Sequence, residues 1–432
     1  MESEEINPGA AEMTEVYAVD RDVRITLRRR GADTYTKASY PQQFGVFSEI
    51  ETADAVLRFN LNHEIVSLRG KGRQWPHSQE WLKRTAGNDW IYYSTGGYTG
   101  VVEAIGEYYL PNTPYPTNSL LGGRPFLLPA VHKLTTGWYS LLQEVAKRAT
   151  DAPADILDFL TQTLANDPEV LQKKAEALFA ISGGRSTVLP PDCRHVDYDV
   201  IPLVVADGCL YKCRFCSVKT DRPFRDKSRE GIDHQISKLQ AWYGENISNY
   251  TSVFLGEHDA LAASPGLIVK TIGKALAAFG FSSANMKVFL FGSVGSLLNA
   301  PEQLFVDLGR LPCHVYLNIG LESADQETLD LLGKPIKAAE VVAAFTRMLE
   351  INRRYANIEV TGNFIMDENL PDNHYPTFLA LVREGLDRVR AKGCVYLSPL
   401  RVGQPSRSLV MDFHRLKILS RLPTFLYIIQ RL

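Results

Sequence analysis

Beyond residue 196 the chain alternates between two textures. Six strand-like apolar runs recur: "YDVIPLVVA" (198–206), "SVFLG" (252–256), "KVFLFG" (287–292), "HVYLNIG" (314–320), "IEVTGNFIM" (358–366) and "CVYLSPL" (394–400). Helical text separates them: "GIDHQISKLQAWYG", "GLIVKTIGKALAAFG", "APEQLFVDLGRL", "AAEVVAAFTRMLEINRRYA" and "YPTFLALVREGLDRVRAKG". Near-continuous apolar strands, each followed by a helix, imply parallel pairing with both faces covered. A curved six-stranded arc and an open doubly wound sheet both satisfy this pattern. Periodicity does not choose between them.

The preceding half is less regular. From residue 16 to about 150, short runs such as "RITLR" and "AVLRFNL" give way to the aromatic, turn-rich "NDWIYYSTGGYTGVVEAIGEYYLPNTPYPTN". This predicts a mixed α/β (α+β) N-terminal domain over 16–150, of unknown role. "APADILDFLTQTLANDPEVLQKKAEALFAI" has helical spacing broken at Asp167-Pro168, and "SGGRSTVLPPD" reads as a linker. Together they form a helical bridge and linker over 151–195, leading into a core over 196–400. A helical tail is expected over 401–432, and a disordered acidic tail over 1–15.

The distribution of polar residues sharpens the picture. A cysteine cluster follows the first strand, "GEHDA" the second, "GSVGS" the third, "GLES" the fourth, "MDEN" the fifth and "SPLR" the sixth. In a parallel α/β sheet the C-terminal strand edge is where sites are built. That edge is the expected active site.

Composition mainly excludes. The formal net charge of −2 over 432 residues gives no global field for nucleic acid or anionic membrane, and no uncharged apolar window is long enough for a transmembrane helix. The start lacks the basic and apolar regions of a signal peptide. Six cysteines are too few and too scattered for a disulfide scaffold at this size. A reducing cytoplasm is the expected compartment.

Half of those thiols stand in "DGCLYKCRFCSVK", where Cys209, Cys213 and Cys216 are spaced by three residues and then two. Flanks this polar disfavour a core segment. Thiolates suit zinc or an iron–sulfur cluster. Structural zinc needs a fourth ligand, for which Cys193, His195 and His258 are available, but its sites usually pair two close ligands with another close pair. Three thiolates on a four-iron cluster leave one iron open to bind a small molecule.

This Cys209-x3-Cys213-x2-Cys216 loop, with Phe215 before the last cysteine and a first parallel strand before the loop, resembles that of the radical S-adenosylmethionine (SAM) enzymes. The resemblance covers about residues 196–400. It implies a partial (β/α)6 TIM-like barrel holding a 4Fe-4S cluster on Cys209, Cys213 and Cys216, with SAM on the open iron. It also implies reductive SAM cleavage to a 5′-deoxyadenosyl radical that abstracts hydrogen from a substrate not identified by the sequence. By the same resemblance Phe215 packs near adenine, Gly256 and Glu257 receive the methionine ammonium, Ser293 meets the SAM carboxylate or ribose, and Glu322 meets the ribose. "TGNFIMDEN" is similar to the adenine-facing fifth-strand segment, although Asp367 or a neighbour replaces the usual second glycine. Ser293 is equally readable as a helix cap, and Ser323 with Gln326 or Glu327 as a helix start.

Tyr211, His258 and Asp259 are the candidates for acid–base or radical roles. Seven basic residues between Lys212 and Arg229 (Lys212, Arg214, Lys219, Arg222, Arg225, Lys227 and Arg229) suit a flavodoxin- or ferredoxin-type donor or an anionic substrate as readily as a solvated loop. Nucleic acid is disfavoured. Cys313 and Cys394, at strand starts, read as buried thiols, so no auxiliary cluster is expected. The Asp-x-His-x-x-Gly signature of cobalamin domains is absent around His63, which disfavours a cobalamin-dependent methyltransferase. Trp90, Tyr92, Tyr93, Tyr98, Tyr108 and Tyr109 suit a core better than a pocket over the barrel mouth. The alternative to an enzyme is a non-catalytic zinc- or iron–sulfur-binding protein, RNA-associated in one version, with Cys193 or His258 completing the site.

Overall fold

The computed structural model describes residues 16–32, 44–76, 78, 80–93, 125–196, 198–216, 220–281, 286–390, 392–400 and 406–427. The acidic segment 1–15 and Tyr98, Tyr108, Tyr109 and Lys219 lie outside the described residues.

The N-terminal part is an antiparallel sheet of seven strands in chain order: β1 (Val16–Ala18), β2 (Arg24–Arg30), β3 (Val46–Glu51), β4 (Ala55–Phe59), β5 (Ile65–Gly70), β6 (Trp81–Arg84) and β7 (Trp90–Tyr93). Alternation sends Ile25, Ile50, Leu57, Leu68 and Leu82 to one face, beneath the helix Pro129–Arg148. That helix buries Val131, Trp138, Leu142 and Val145, a helical stripe lying in text that gave no clear pattern against its aromatic surroundings. Trp90 and Tyr92 pack against this same core.

The bridge forms two helices, Ala154–Ala165 and Pro168–Ser182. Asp167 caps the second through Val170 N at 2.8 Å, and Gly183 ends it at φ +84°.

The second sheet is wholly parallel. Its strands are β8 (Ile201–Pro202), β11 (Ser252–Phe254), β12 (Lys287–Ser293), β13 (His314–Glu322), β14 (Ile358–Met366), β15 (Val395–Pro399) and β16 (Thr424–Leu426), paired in chain order. A small antiparallel ladder, β9 (Ala206–Asp207) with β10 (Arg225–Asp226), closes the base of the cysteine loop. Pairing order never reverses, so the sheet is singly wound and the doubly wound alternative is excluded.

Side-chain alternation gives the two faces different covers. Val253, Val288, Val315 and Val360 face the helices in the main core. Phe254, Phe289 and Tyr316 pack instead with Leu189, Cys193, Val196 and Val200 of the linker.

Three expectations need correction. The sheet has seven strands rather than six, because the tail adds β16 after its helix Arg407–Leu419. Pro423 breaks that helical reading, and the following Thr-Phe-Leu-Tyr run favours a strand. The helix expected over 375–393 runs only His374–Leu379 with a wider turn to Glu384, ending before Gly385. The first strand forms ladder only at 201–202.

The linker takes an unexpected course. Thr187 is bonded to Glu257, just past the C-terminal end of β11, and the Leu189 carbonyl accepts from Tyr427. Asp192 meets Thr361 and Tyr396 halfway along β14 and at the start of β15. His195 stacks on Tyr316 at 4.9 Å, and the Asp199 carbonyl accepts from Ser252 Oγ at 2.8 Å where β11 begins. The segment thus descends the inner face of the sheet from one end to the other before turning back as β8.

Candidate active site

The C-terminal strand edge opens into a cleft enclosing about 1170 Å³, continuous with solvent at its mouth. Cys209, Tyr211, Cys213, Phe215, Cys216, Glu257, His258, Asp259, Ser293 and Glu322 all line it. These residues come from the cysteine loop and from the ends of three successive strands. Of the residues singled out by sequence, Gly256 stands apart, at φ +137° on an adjoining groove that shares Glu257 and His258.

The cysteine loop is pinned from several sides. Gly208 turns at φ +77°, where an added Cβ would meet the Pro223 and Arg222 carbonyls. Arg214 binds the end of the helix Gln326–Leu332: its backbone N reaches Leu332 O at 3.1 Å and its guanidinium reaches Asp330 O at 2.9 Å. Cations at a helix C-terminus are favourable. Tyr211 Oη accepts from Gly295 N at 3.0 Å, tying the loop to the helix Val294–Asn299. Among the seven basic residues, then, Arg214 serves the loop itself, and Lys227 pairs with Asp207 at 2.6 Å. Lys212, Arg222, Arg225 and Arg229 remain exposed.

The three thiols interact electrostatically with one another. Burial pushes Cys213 up to about 11 and raises Cys209, while the Lys334 ammonium pulls both back. Thiolates in such a place need a cationic centre to compensate them. A single tetrahedral zinc holds its sulfurs roughly 4 Å apart. Among the described residues no three His, Cys, Asp or Glu side chains are drawn into such a group. Cys193 packs with the linker's apolar residues rather than in the cleft.

Glu257 follows β11 but is engaged by the linker. Its Oε2 accepts from Thr187 N at 2.7 Å, Thr187 Oγ1 at 2.8 Å and Val188 N at 3.2 Å. Asp259 is 2% exposed; its Oδ1 accepts from Ser293 N at 3.0 Å, while Oδ2 has no partner among the described residues. Burial raises its pKa. Ser293 forms a capping box with Ser296, accepting from Ser296 N at 3.0 Å. The capping reading of Ser293 thus describes its hydroxyl, although the side chain also borders the cleft. The helix after Glu322 is capped by Asp325, through Thr328 N at 2.9 Å, and not by Ser323. Ser323 instead bonds His374 at 2.8 Å.

Three cleft residues were not anticipated. Lys334 reads in "LLGKP" as a solvated residue after a helix, yet it is buried beside Glu322 at 3.0 Å. Asn363 donates to Asn318 Oδ1 at 2.6 Å. Ser398 is buried, and its Oγ, like Asp259 Oδ2, has no hydrogen-bond partner among the described residues. "SPLR" at a strand end was the signal for Ser398; for Lys334 nothing short of the fold would do. Buried, unpartnered polar atoms facing a cleft are what a polar ligand would satisfy. Phe215, Phe291, Ile365 and Leu400 supply apolar wall for a flat ring.

A second cleft, of about 1040 Å³, lies between the N-terminal sheet and the outside of the parallel sheet. Its charges are already engaged: Lys83 pairs with Asp199 at 2.7 Å between the two parts, and Arg58 with Glu49 at 2.8 Å within the N-terminal sheet.

Comparison with known proteins adds a family. Residues 203–382 match the model of the radical SAM superfamily. Solved structures similar to the chain include a radical SAM methyltransferase from Sphaerobacter thermophilus, with 16% identity and a TM-score of 0.35 over 57% of this chain and 70% of that one. Methylornithine synthase (PylB) shows 12% identity and a TM-score of 0.33 over 60% and 78%. The cobalamin-dependent SAM radical enzyme OxsB shows 16% identity and a TM-score of 0.32 over 43% and 26%. None of these superpositions is close enough to bear on activity. No curated protein matches the chain. No helix among the described residues is long and apolar enough to cross a membrane.

Proposed function

With residues 203–382 belonging to the radical SAM superfamily, enzymes that use a 4Fe-4S cluster and SAM, we propose that this chain cleaves SAM reductively in the cleft at the C-terminal strand edge. The observation that carries this reading is the convergence of Cys209, Cys213 and Cys216 on the same cleft as the polar ends of β12 to β15. When bound, the cluster and SAM supply an electron and a 5′-deoxyadenosyl radical able to take hydrogen from a substrate.

The chain's own residues do the rest. Cys209, Cys213 and Cys216 hold the cluster, and the Arg214 and Tyr211 anchors keep their loop in place. Phe215 and Leu400 sandwich the adenine, with Ser398 beside it. Glu322, fixed by Lys334, faces the ribose, and the edge formed by Asp259 and Ser293 receives the methionine end, with Glu257 seating the linker beside it. Apolar walls exclude water from the reacting atoms. The parallel sheet curls as a partial (β/α)6 barrel over 196–400, with β16 added from the tail, and the 16–150 domain packs outside it. The exposed Lys212, Arg222, Arg225 and Arg229 offer an approach for an acidic donor of flavodoxin or ferredoxin type in a reducing cytoplasm.

Anaerobic reconstitution with iron and sulfide, then reduction with dithionite in the presence of SAM, tests the proposal by scoring 5′-deoxyadenosine. The expected product forms with the wild-type chain and not with a Cys209/Cys213/Cys216 triple alanine variant. Iron loading without SAM cleavage would make the cluster structural or redox, and tightly bound zinc without sulfide would replace the enzyme with a metal-binding protein.

A further inference from the structure

Two carboxylates stand two residues apart after β11, and the fold gives them different work. Glu257 faces the linker: its Oε2 takes both the amide and the hydroxyl of Thr187 and the amide of Val188. A carboxylate oxygen so supplied is a tie between β11 and the descending segment. Asp259 takes Ser293 N on Oδ1, with the Ser293 and Ser296 hydroxyls beside its carboxylate. The residue lines the cleft, and its Oδ2 is buried with no hydrogen-bond partner among the described residues.

The charges around Asp259 do not neutralise it by contact. Lys334 is bonded to Glu322 and to the Gly320 carbonyl. Cys209 and Tyr211, also electrostatically coupled to Asp259, bear hydrogen or negative charge, never a positive one. An anion shielded from water, with one oxygen unused, is a place for a donor carrying positive charge.

We propose that Asp259, and not Glu257, is the carboxylate that receives a ligand's ammonium group in this cleft. The inference rests on the reading that the cleft takes SAM. An ammonium has two sources there: the methionine end of SAM itself, or an amine-bearing substrate lying beside SAM. Glu257 keeps the linker seated whichever source applies.

The experiment uses the full chain with its cluster reconstituted and unreduced, as wild type, D259N and E257Q. Equilibrium dialysis compares SAM with 5′-methylthioadenosine, which keeps the nucleoside and lacks the aminocarboxypropyl arm and the sulfonium charge. If the ammonium is SAM's, D259N weakens SAM binding at least tenfold and leaves 5′-methylthioadenosine within about twofold, while E257Q leaves SAM within about threefold. If it belongs to a substrate, D259N binds SAM normally. Millimolar n-butylammonium then raises the melting temperature of SAM-loaded wild type and not of D259N, with n-butanol inert in both. Equal behaviour of wild type and D259N in both arms overturns the proposal.

Stability supplies an independent check. D259N keeps the Oδ1 acceptor and removes a buried charge that no cation contacts directly, so the ligand-free variant is expected to melt at or above the wild-type temperature. A clear fall would mean that Oδ2 is already satisfied within the chain, which also overturns the proposal. Failure of wild type to bind SAM at all would instead remove the radical SAM reading, and the amine arm, repeated without SAM, would then judge Asp259 alone.

Discussion

The Lys334 ammonium lies 3.0 Å from the Glu322 carboxylate inside the cleft, and the two side chains are only 4% and 13% exposed. Glu322 itself sits at φ +64°, a strained region for a residue with a side chain, just beyond a register shift between Gly320 and Glu322 in the β13–β14 pairing. Lys334 therefore compensates a charge and holds a backbone kink that aims Glu322 into the cleft. Gly320 makes room for this, since an added Cβ there would press on the Glu322 carboxylate and lie 3.3 Å from the Lys334 ammonium.

Lys334→Met should be among the more damaging single changes in the molecule. Stranding the Glu322 carboxylate is expected to cost about 3–5 kcal/mol. Adding Glu322→Leu to the same chain should recover most of that loss. Urea midpoints of the two single variants and the double variant check it. A K334M midpoint equal to wild type would mean that Glu322 finds another cation.

Gly295→Ala should loosen the cysteine loop without touching a cysteine, because the new Cβ would overlap the Tyr211 hydroxyl. Iron retained after reconstitution and desalting should fall severalfold in G295A. Tyr211→Phe, which loses the bond to Gly295 N but fits the space, should fall less. Equal retention in all three proteins would show that the loop needs no anchor at this point.

Asp192 is fully buried, taking Tyr396 Oη at 2.8 Å and Thr361 Oγ1 at 3.1 Å. Asp192→Ala removes an acceptor from both hydroxyls, leaving Thr361 its bonds to Asn318 and Leu317, and should destabilise the chain by about 1–3 kcal/mol. Asp192→Asn, which keeps an acceptor, should cost less. A denaturation series that ranks the two variants the other way would refute the account of the inner face.

His374 makes stability depend on pH. Burial lowers its pKa from 6.5, and its ring lies between Ser323 Oγ and the Ile365 carbonyl. The neutral ring is the one that accepts from Ser323 through Nδ1 and donates through Nε2. Above pH 6.5 the ring is neutral whether the chain is folded or not, and this contribution to stability is complete. As pH falls below 6.5 the unfolded chain takes up a proton that the folded ring resists, so stability declines until the folded pKa is passed. Melting temperatures between pH 8 and 5 should fall on the acid side, and fall less in His374→Gln. Parallel curves for the two proteins would exclude His374 as the source.

Much of the parallel sheet could be read from the chain because its rule is local. A continuous apolar run such as "KVFLF" and an amphipathic partner such as "VVAAFTRMLEI" report their own structure. The site edge followed from the same rule, since a parallel sheet sends every C-terminal strand end the same way. What could not be read depended on distant partners. Pairing order separates a singly from a doubly wound sheet, and no strand carries that information alone. Ser293 shows an ambiguity that geometry resolves, because a serine before a helix is the same residue whether it caps or binds. Lys334 looked solvated because nothing within a few residues announces Glu322 behind it. Asp192, in a proline-rich linker, gave no sign of belonging inside.

That linker has a consequence for how the chain is made. Asp192 leaves the ribosome well before its hydroxyl partners, which follow 169 residues later at Thr361 and 204 residues later at Tyr396. Leu189, Cys193, Val196 and Val200 can settle on β11 and β12 as those strands emerge, but the Thr361 and Tyr396 hydroxyls reach Asp192 only when β14 and β15 arrive. The inner face therefore closes late in synthesis, a slow and non-local route to the native state. A fragment beginning at residue 203 would lack the linker side chains that pack on Phe254, Phe289 and Tyr316, and is expected to fold less well than the whole chain.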